Sequence, residues 1–175
     1  MACFYNDRND KEDSKYELIK YLLDNTTNIE PRVSNTQGPA QWICKSKSPD
    51  IARLFFEKKG DQIDVHRVDQ LGYLGPSYLS FFKSNQSDII DILKIFRQHG
   101  FDFNYYNIQT NTPSILESFI LAIDKLHNVI KWLLENGANP NVPFVRGNGQ
   151  FSTLLEKALA TYSISHHFKS YQSNK

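Results

Sequence analysis

"VIKWLLENGANPNV", residues 129–142, is the stretch whose reading decides the fold. Val129, Ile130, Leu133 and Leu134 recur along one side of a helix, and Trp132 widens that side. Glu135 and Asn136 are polar, and Gly137 follows where a left-handed residue closes a helix. Asn139-Pro140 then marks a turn, because proline disfavours helix in the residue before it. The segment reads as a short apolar helix, a glycine stop and a tight bend.

The same plan recurs in "YELIKYLLDNTTNIE" (16–30), "PDIARLFFEKKGDQID" (49–64) and "SDIIDILKIFRQHGFDFN" (87–104). The closing positions Glu30, Asp64, Asn104 and Asn141 are spaced 34, 40 and 37 residues apart. A second marker runs beside the first: Gly38-Pro39, Gly75-Pro76 and Thr112-Pro113 each open a new helical stretch, at intervals of 37 and 37. Proline suits the first helical position, where its missing N–H costs nothing. Ser48 and Ser87 stand where two of the second helices need an N-cap. Two sets of marks with nearly one period predict an all-α array of helix–turn–helix units. Ile130, Leu133, Leu134, Ile92, Ile95, Leu54 and Phe55 are the expected core, with Cys44 as a small core residue. Lys58, Lys59 and Arg97 read as a solvated face.

A turn plus two helices at this period is the ankyrin pattern, and "TPSILESFILAIDKLHNVIKWLLENGANPNV" (112–142) resembles an ankyrin repeat. Thr112-Pro113 opens it, and Leu133-Leu134, Gly137-Ala138 and Asn141 close it. The resemblance implies an ankyrin-repeat solenoid over 16–160, about three full repeats with partial ends. Residues 1–15 are then a remnant of a first repeat, and 161–175 a polar tail. Where the family carries Leu-His after Thr-Pro, this chain has Ala40-Gln41, Ser77-Tyr78 and Ser114-Ile115. In the family that histidine ties neighbouring turns together. Two second helices run one residue long before Gly60 and Gly100, and the first helix after Pro113 is expected to be longer by about a turn.

Long, divergent repeats rich in Asn, Ile and Tyr resemble the ankyrin proteins of poxviruses, which typically carry a C-terminal F-box-like segment that recruits a host ubiquitin-ligase scaffold. Here the sequence closes with "ATYSISHHFKSYQSNK", which is polar and has no such segment. Thr153-x-x-Glu156 forms a capping-box pattern ahead of "LLEKALATY", one helix without a partner. The chain is thus expected to be cut at both ends and marginally stable.

Composition bounds the chemistry. Lys and Arg total 20 against 19 for Asp and Glu, a net charge of +1, which gives no electrostatic reason to expect nucleic acid or an anionic membrane. Cys3 and Cys44 are too few for a disulfide framework and fit a reducing compartment. The first fifteen residues lack the apolar core of a signal peptide, and no apolar run is long enough to span a bilayer. A soluble, intracellular protein is the expectation, and the resemblance implies that the cytoplasm is a host's.

Motifs for catalysis and metal binding are missing. His66, His99, His127, His166 and His167 form no H-E-x-x-H, and there is no C-x-x-C. No G-x-S-x-G elbow or phosphate-binding G-x-x-x-x-G-K is present, and "RGNGQ" (146–150) reads as a repeat junction. No catalytic residue, cofactor, metal or small-molecule substrate is therefore expected. Ankyrin arrays bind proteins through their hairpins and inner helix face, and the hairpins here fall near 31–37, 65–73, 105–111 and 142–150. They carry large side chains with no evident core duty: His66, Arg67, Tyr105, Tyr106, Phe144 and Arg146 are the candidate protein-binding residues. The resemblance implies a non-enzymatic module that engages a host protein to blunt defence. A ligase adaptor and an inactive remnant are the alternatives.

Overall fold

The computed structural model describes residues 9–30, 36–81, 85–122 and 126–143, together with 153, 154 and 156. Among the described residues the helices are, in order, α1 (Asn9–Asn25), α2 (Pro39–Ser46), α3 (Pro49–Lys59), α4 (Gln86–Gln98), α5 (Ile115–Ile120) and α6 (His127–Glu135). Short 3-10 helices span Gly60–Gln62 and Gly75–Ser80. Among the described residues there is no strand. The turns are pinned by isolated antiparallel bridges, Val68 to Leu74, Asn107 to Thr112 and Pro143 to Thr153.

Local chemistry sets most of the boundaries. Pro39 and Pro49 enter their helices in the first turn, and Ser48 caps α3 by accepting the Ile51 N–H at 3.3 Å. Gly100 (φ 87°) and Gly137 (φ 95°) take the left-handed conformation after α4 and α6, as the glycine stop requires. The capping box at 153–156 forms: Glu156 N–H donates to Thr153 Oγ1 at 3.2 Å, and Thr153 N–H to Glu156 Oε2 at 3.0 Å.

Five boundary expectations need correction. Gly60 has φ −58°, so it does not stop α3 but carries the chain into a 3-10 turn. The cap of α4 is Asn85, whose side chain accepts the Ser87 N–H at 3.2 Å; Ser87 itself lies inside the helix. The stretch after Gly75-Pro76 is a 3-10 helix. Helix α5 spans six residues instead of running long, and Ser114 rather than Pro113 caps it, accepting the Glu117 N–H at 3.2 Å. Helix α1 begins at Asn9, inside the segment read as a remnant.

Packing runs in two files. The longer helices α1, α3, α4 and α6 each contact the next along one side, and α2, the Gly75–Ser80 helix and α5 do so along the other. Within units, α2 meets α3 and α5 meets α6. A chain of edge-to-face rings runs along the longer file: Phe56 to Phe96 at 5.1 Å, Phe96 to Phe101 at 6.1 Å, Phe101 to Phe103 at 6.0 Å and Phe103 to Trp132 at 5.7 Å. In the other file the whole Gly75–Ser80 helix is buried. A Cβ on Gly75 would stand 2.7 Å from the Ala40 carbonyl, so only glycine permits that backbone approach. Cys44 is fully buried, and burial pushes its thiol well above the ordinary range.

The expected core holds for Leu54, Ile92, Ile95 and Leu133. Leu134 is 44% exposed, and Ile130 and Phe55 are only half-buried. In α6 the inward line is Val129 and Leu133, one turn apart, and Leu134 lies a step round the helix from it. In α3 Phe56 takes the buried place. Lys58 and Arg97 are more than a solvated face. Lys58 pairs with Asp24 of α1 at 2.8 Å; Arg97 donates to Asn136 at 2.9 Å and lies over the Phe103 ring at 5.5 Å. The mutual hydrogen bond lowers the pKa of Asp24 and raises that of Lys58. Both pairs join successive helices of the longer file.

Candidate functional site

Each turn begins with the same device. An Asn or Asp side chain accepts the backbone N–H two residues on: Asn28 from Glu30 at 2.8 Å, Asp64 from His66 at 2.9 Å, Asp102 from Asn104 at 2.8 Å and Asn139 from Asn141 at 2.9 Å. Short polar side chains favour this turn because they mimic a backbone carbonyl. The four positions lie 36, 38 and 37 residues apart. This corrects the register of the closing positions: His66, not Asp64, corresponds to Glu30, Asn104 and Asn141.

The residue two places on reaches the next turn. His66 Nε2 accepts the Asp102 N–H at 2.9 Å, and Asn104 Oδ1 accepts the Asn139 N–H at 2.7 Å. Asn104 Nδ2 also donates to the Gly137 carbonyl at 3.0 Å. Further back, Gln62 donates to the Thr27 carbonyl at 3.2 Å and accepts from Ile29 N–H at 3.3 Å. These bonds satisfy turn backbone that the helices leave free.

Gln41 ties its own turn to the next. Its fully buried amide accepts the Gly38 N–H at 3.0 Å and donates to the carbonyls of Arg67 at 2.8 Å and Tyr73 at 3.3 Å. One unit on, the Tyr78 hydroxyl donates to Asp69 Oδ2 and accepts from Gln37 Nε2 at 2.8 Å. Asp69 Oδ1 in turn accepts the N–H groups of Leu71 at 2.9 Å and Tyr73 at 3.0 Å. Burial first, and then the carboxylate of Asp69, push the Tyr78 phenol up to about 12.

Three of the candidate residues are engaged within this framework. The His66 ring stacks on Phe101 at 5.2 Å and lies tilted against Tyr105 at 4.8 Å. Arg67 Nη1 pairs with Glu30 at 2.6 Å, its Nε donates to the Thr36 carbonyl at 3.3 Å, and its stem lies against Gly38. Tyr105 is half-buried against the core. Tyr106 remains 36% exposed. Phe144 and Arg146 lie outside the described residues, as do Cys3, His166-His167 and the tail.

The large exposed side chains of the turns are instead Leu71 (62%) and Ile108 (49%), joined by Phe81 at the end of the buried 3-10 helix. The sequence held one signal for them. Residues 70–81 and 103–116 contain no charged side chain, so these turns are not ordinary solvated loops. At the first unit, Leu22, Trp42 and Phe55 line an apolar cleft of about 340 Å³. Among the described residues no group of three or more His, Cys, Asp or Glu could hold a metal ion, and no helix is long and apolar enough to cross a membrane. No protein-family model matches the sequence, and no curated protein matches it.

Proposed function

We propose that this chain is a non-enzymatic protein-binding module, an ankyrin-type solenoid whose turn edge engages a protein of the host cytoplasm. The repeated clasp carries this reading: one kind of hydrogen-bonded turn at Asn28, Asp64, Asp102 and Asn139, with His66 and Asn104 each reaching the next. Units that cannot hide an apolar face alone gain a core by stacking, and the turns remain as an edge free to vary. The viral and host-directed half comes from the resemblance of the long, divergent repeats rich in Asn, Ile and Tyr to the ankyrin proteins of poxviruses. Affinity purification of the tagged chain from host-cell extract tests the reading. The expected result is one protein recovered in stoichiometric amount, with less of it when Tyr106→Ala is the bait. Recovery of nothing beyond chaperones ends it.

A further inference from the structure

Two joints between successive turns are built from one position of the repeat, yet different side chains fill it. Asn104 of the third turn accepts the Asn139 N–H on Oδ1 at 2.7 Å, and His66 of the second accepts the Asp102 N–H on Nε2 at 2.9 Å. An amide oxygen accepts whatever the pH. An imidazole nitrogen accepts only while it carries no proton. The donor at the second joint is backbone, so Nε2 is the bare nitrogen of a neutral ring whose one proton is on Nδ1.

We propose that His66 makes the joint between the second and third turns a pH-sensitive latch, closed while its imidazole is neutral and released when the ring takes up a proton. Imidazole is the side chain that ordinarily changes charge between pH 5 and 8. The protonated ring sets an Nε2–H against the Asp102 N–H, two donors with no acceptor between them. The closed latch thus holds one proton fewer than the open one, so acid favours release and neutral solution favours closure. Stacking on Phe101 at 5.2 Å survives protonation, because an aromatic face also attracts a cation. Phe101 itself stays between Phe96 and Phe103, so release gives the Asp102 amide up to water and leaves the core intact.

No charged group around the ring can replace the lost bond. In the second turn, the exposed Asp64 carboxylate accepts the His66 N–H at 2.9 Å, and Arg67 is held by Glu30 at 2.6 Å. Asp69 is taken by the Tyr78 hydroxyl and by the N–H groups of Leu71 and Tyr73. Across the joint, the exposed Asp102 carboxylate accepts the Asn104 N–H at 2.8 Å, and Tyr105 lies tilted against the ring. At the end of α4, Arg97 reaches Asn136 and His99 stacks on Phe56 at 4.2 Å. Carboxylates attract an imidazolium through water, but neither Asp64 nor Asp102 offers the Asp102 N–H a new acceptor in place of Nε2. The latch belongs to the fold and does not depend on the protein-binding reading above.

The test is amide hydrogen exchange of the full chain by NMR at pH 5.5 and 7.5, with each rate divided by the intrinsic rate of an unfolded peptide at that pH. In wild type, Asp102 should lose about two- to tenfold of its protection at the lower pH, the range that one net hydrogen bond supplies. Asn139, held by Asn104, should keep its own. The acid response of Asp102 should vanish in His66→Asn, whose side chain takes no proton, and in His66→Phe, which keeps a ring but has no acceptor. A retained melting transition certifies that each variant is folded. Ring ¹⁵N shifts of wild type at pH 7.5 should show Nε2 bare and Nδ1 protonated, a readout that needs no variant. Four outcomes overturn the proposal: a proton on Nε2 at pH 7.5, equal protection of Asp102 at both pH values, an equal loss at Asn139, or an acid response that persists in either variant.

Discussion

The root and the tip of each turn use similar residues for opposite ends. At the root, His66, Arg67 and Tyr105 are held to a neighbouring turn by a hydrogen bond, an ion pair and a ring contact. At the tip, a few residues along the same turns, Leu71 and Ile108 face water. Large side chains in a turn are thus no guide to binding by themselves. What separates the two groups is contact: each root side chain is bonded, paired or packed against an adjoining turn, whereas Leu71 and Ile108 are exposed.

The sharpest way to break this contrast is to remove a ring at the root. Phe101 is buried beneath His66 and touches Phe96 and Phe103. Phe101→Ala should cost about 3–5 kcal/mol in urea unfolding, and a loss under about 1 kcal/mol would show that the root is not where the units are joined. Gln41→Ala comes next. It strips the tie to the Arg67 and Tyr73 carbonyls and should cost about 1–3 kcal/mol in the same measurement, as expected for buried groups left without partners.

A smaller effect, confined to alkaline solution, is expected from Tyr78. Its phenol is raised from 10.0 to about 12 in the folded chain, so folding favours the protonated form. That contribution is complete below pH 10 and is lost as pH rises through about 12. Urea melts across this window should show wild type losing more stability than Tyr78→Phe, and parallel curves would remove Tyr78 as the cause. The smallest effect belongs to the tip. Leu71→Glu and Ile108→Glu should each change stability by no more than about 0.5 kcal/mol, and a cooperative loss would mean that the tips are structural after all.

Much of the layout was legible because glycine, proline and Asx residues act locally. Gly137, Gly100, Pro39, Pro49 and Ser48 do what their chemistry demands wherever they stand. Gly60 misled because a left-handed stop is an option for glycine, not an obligation, and the chain there tightens into a 3-10 turn instead. Leu134 misled because five apolar residues in six leave the inward line of α6 ambiguous until its neighbours are placed. The candidate site was the least legible part. That Arg67 would meet Glu30, and His66 the backbone of Asp102, depends on contacts 36 or 37 residues apart, which no local pattern encodes.

The sealed thiol of Cys44 has a practical consequence. It lies in α2, which packs against both α3 and the Gly75–Ser80 helix. Thiolate chemistry needs both ionisation and access, and burial denies both. In a Cys3→Ser background, the pace at which a disulfide reagent labels this sulfur would count how often the first two layers breathe apart. The chain thereby carries its own clock for opening.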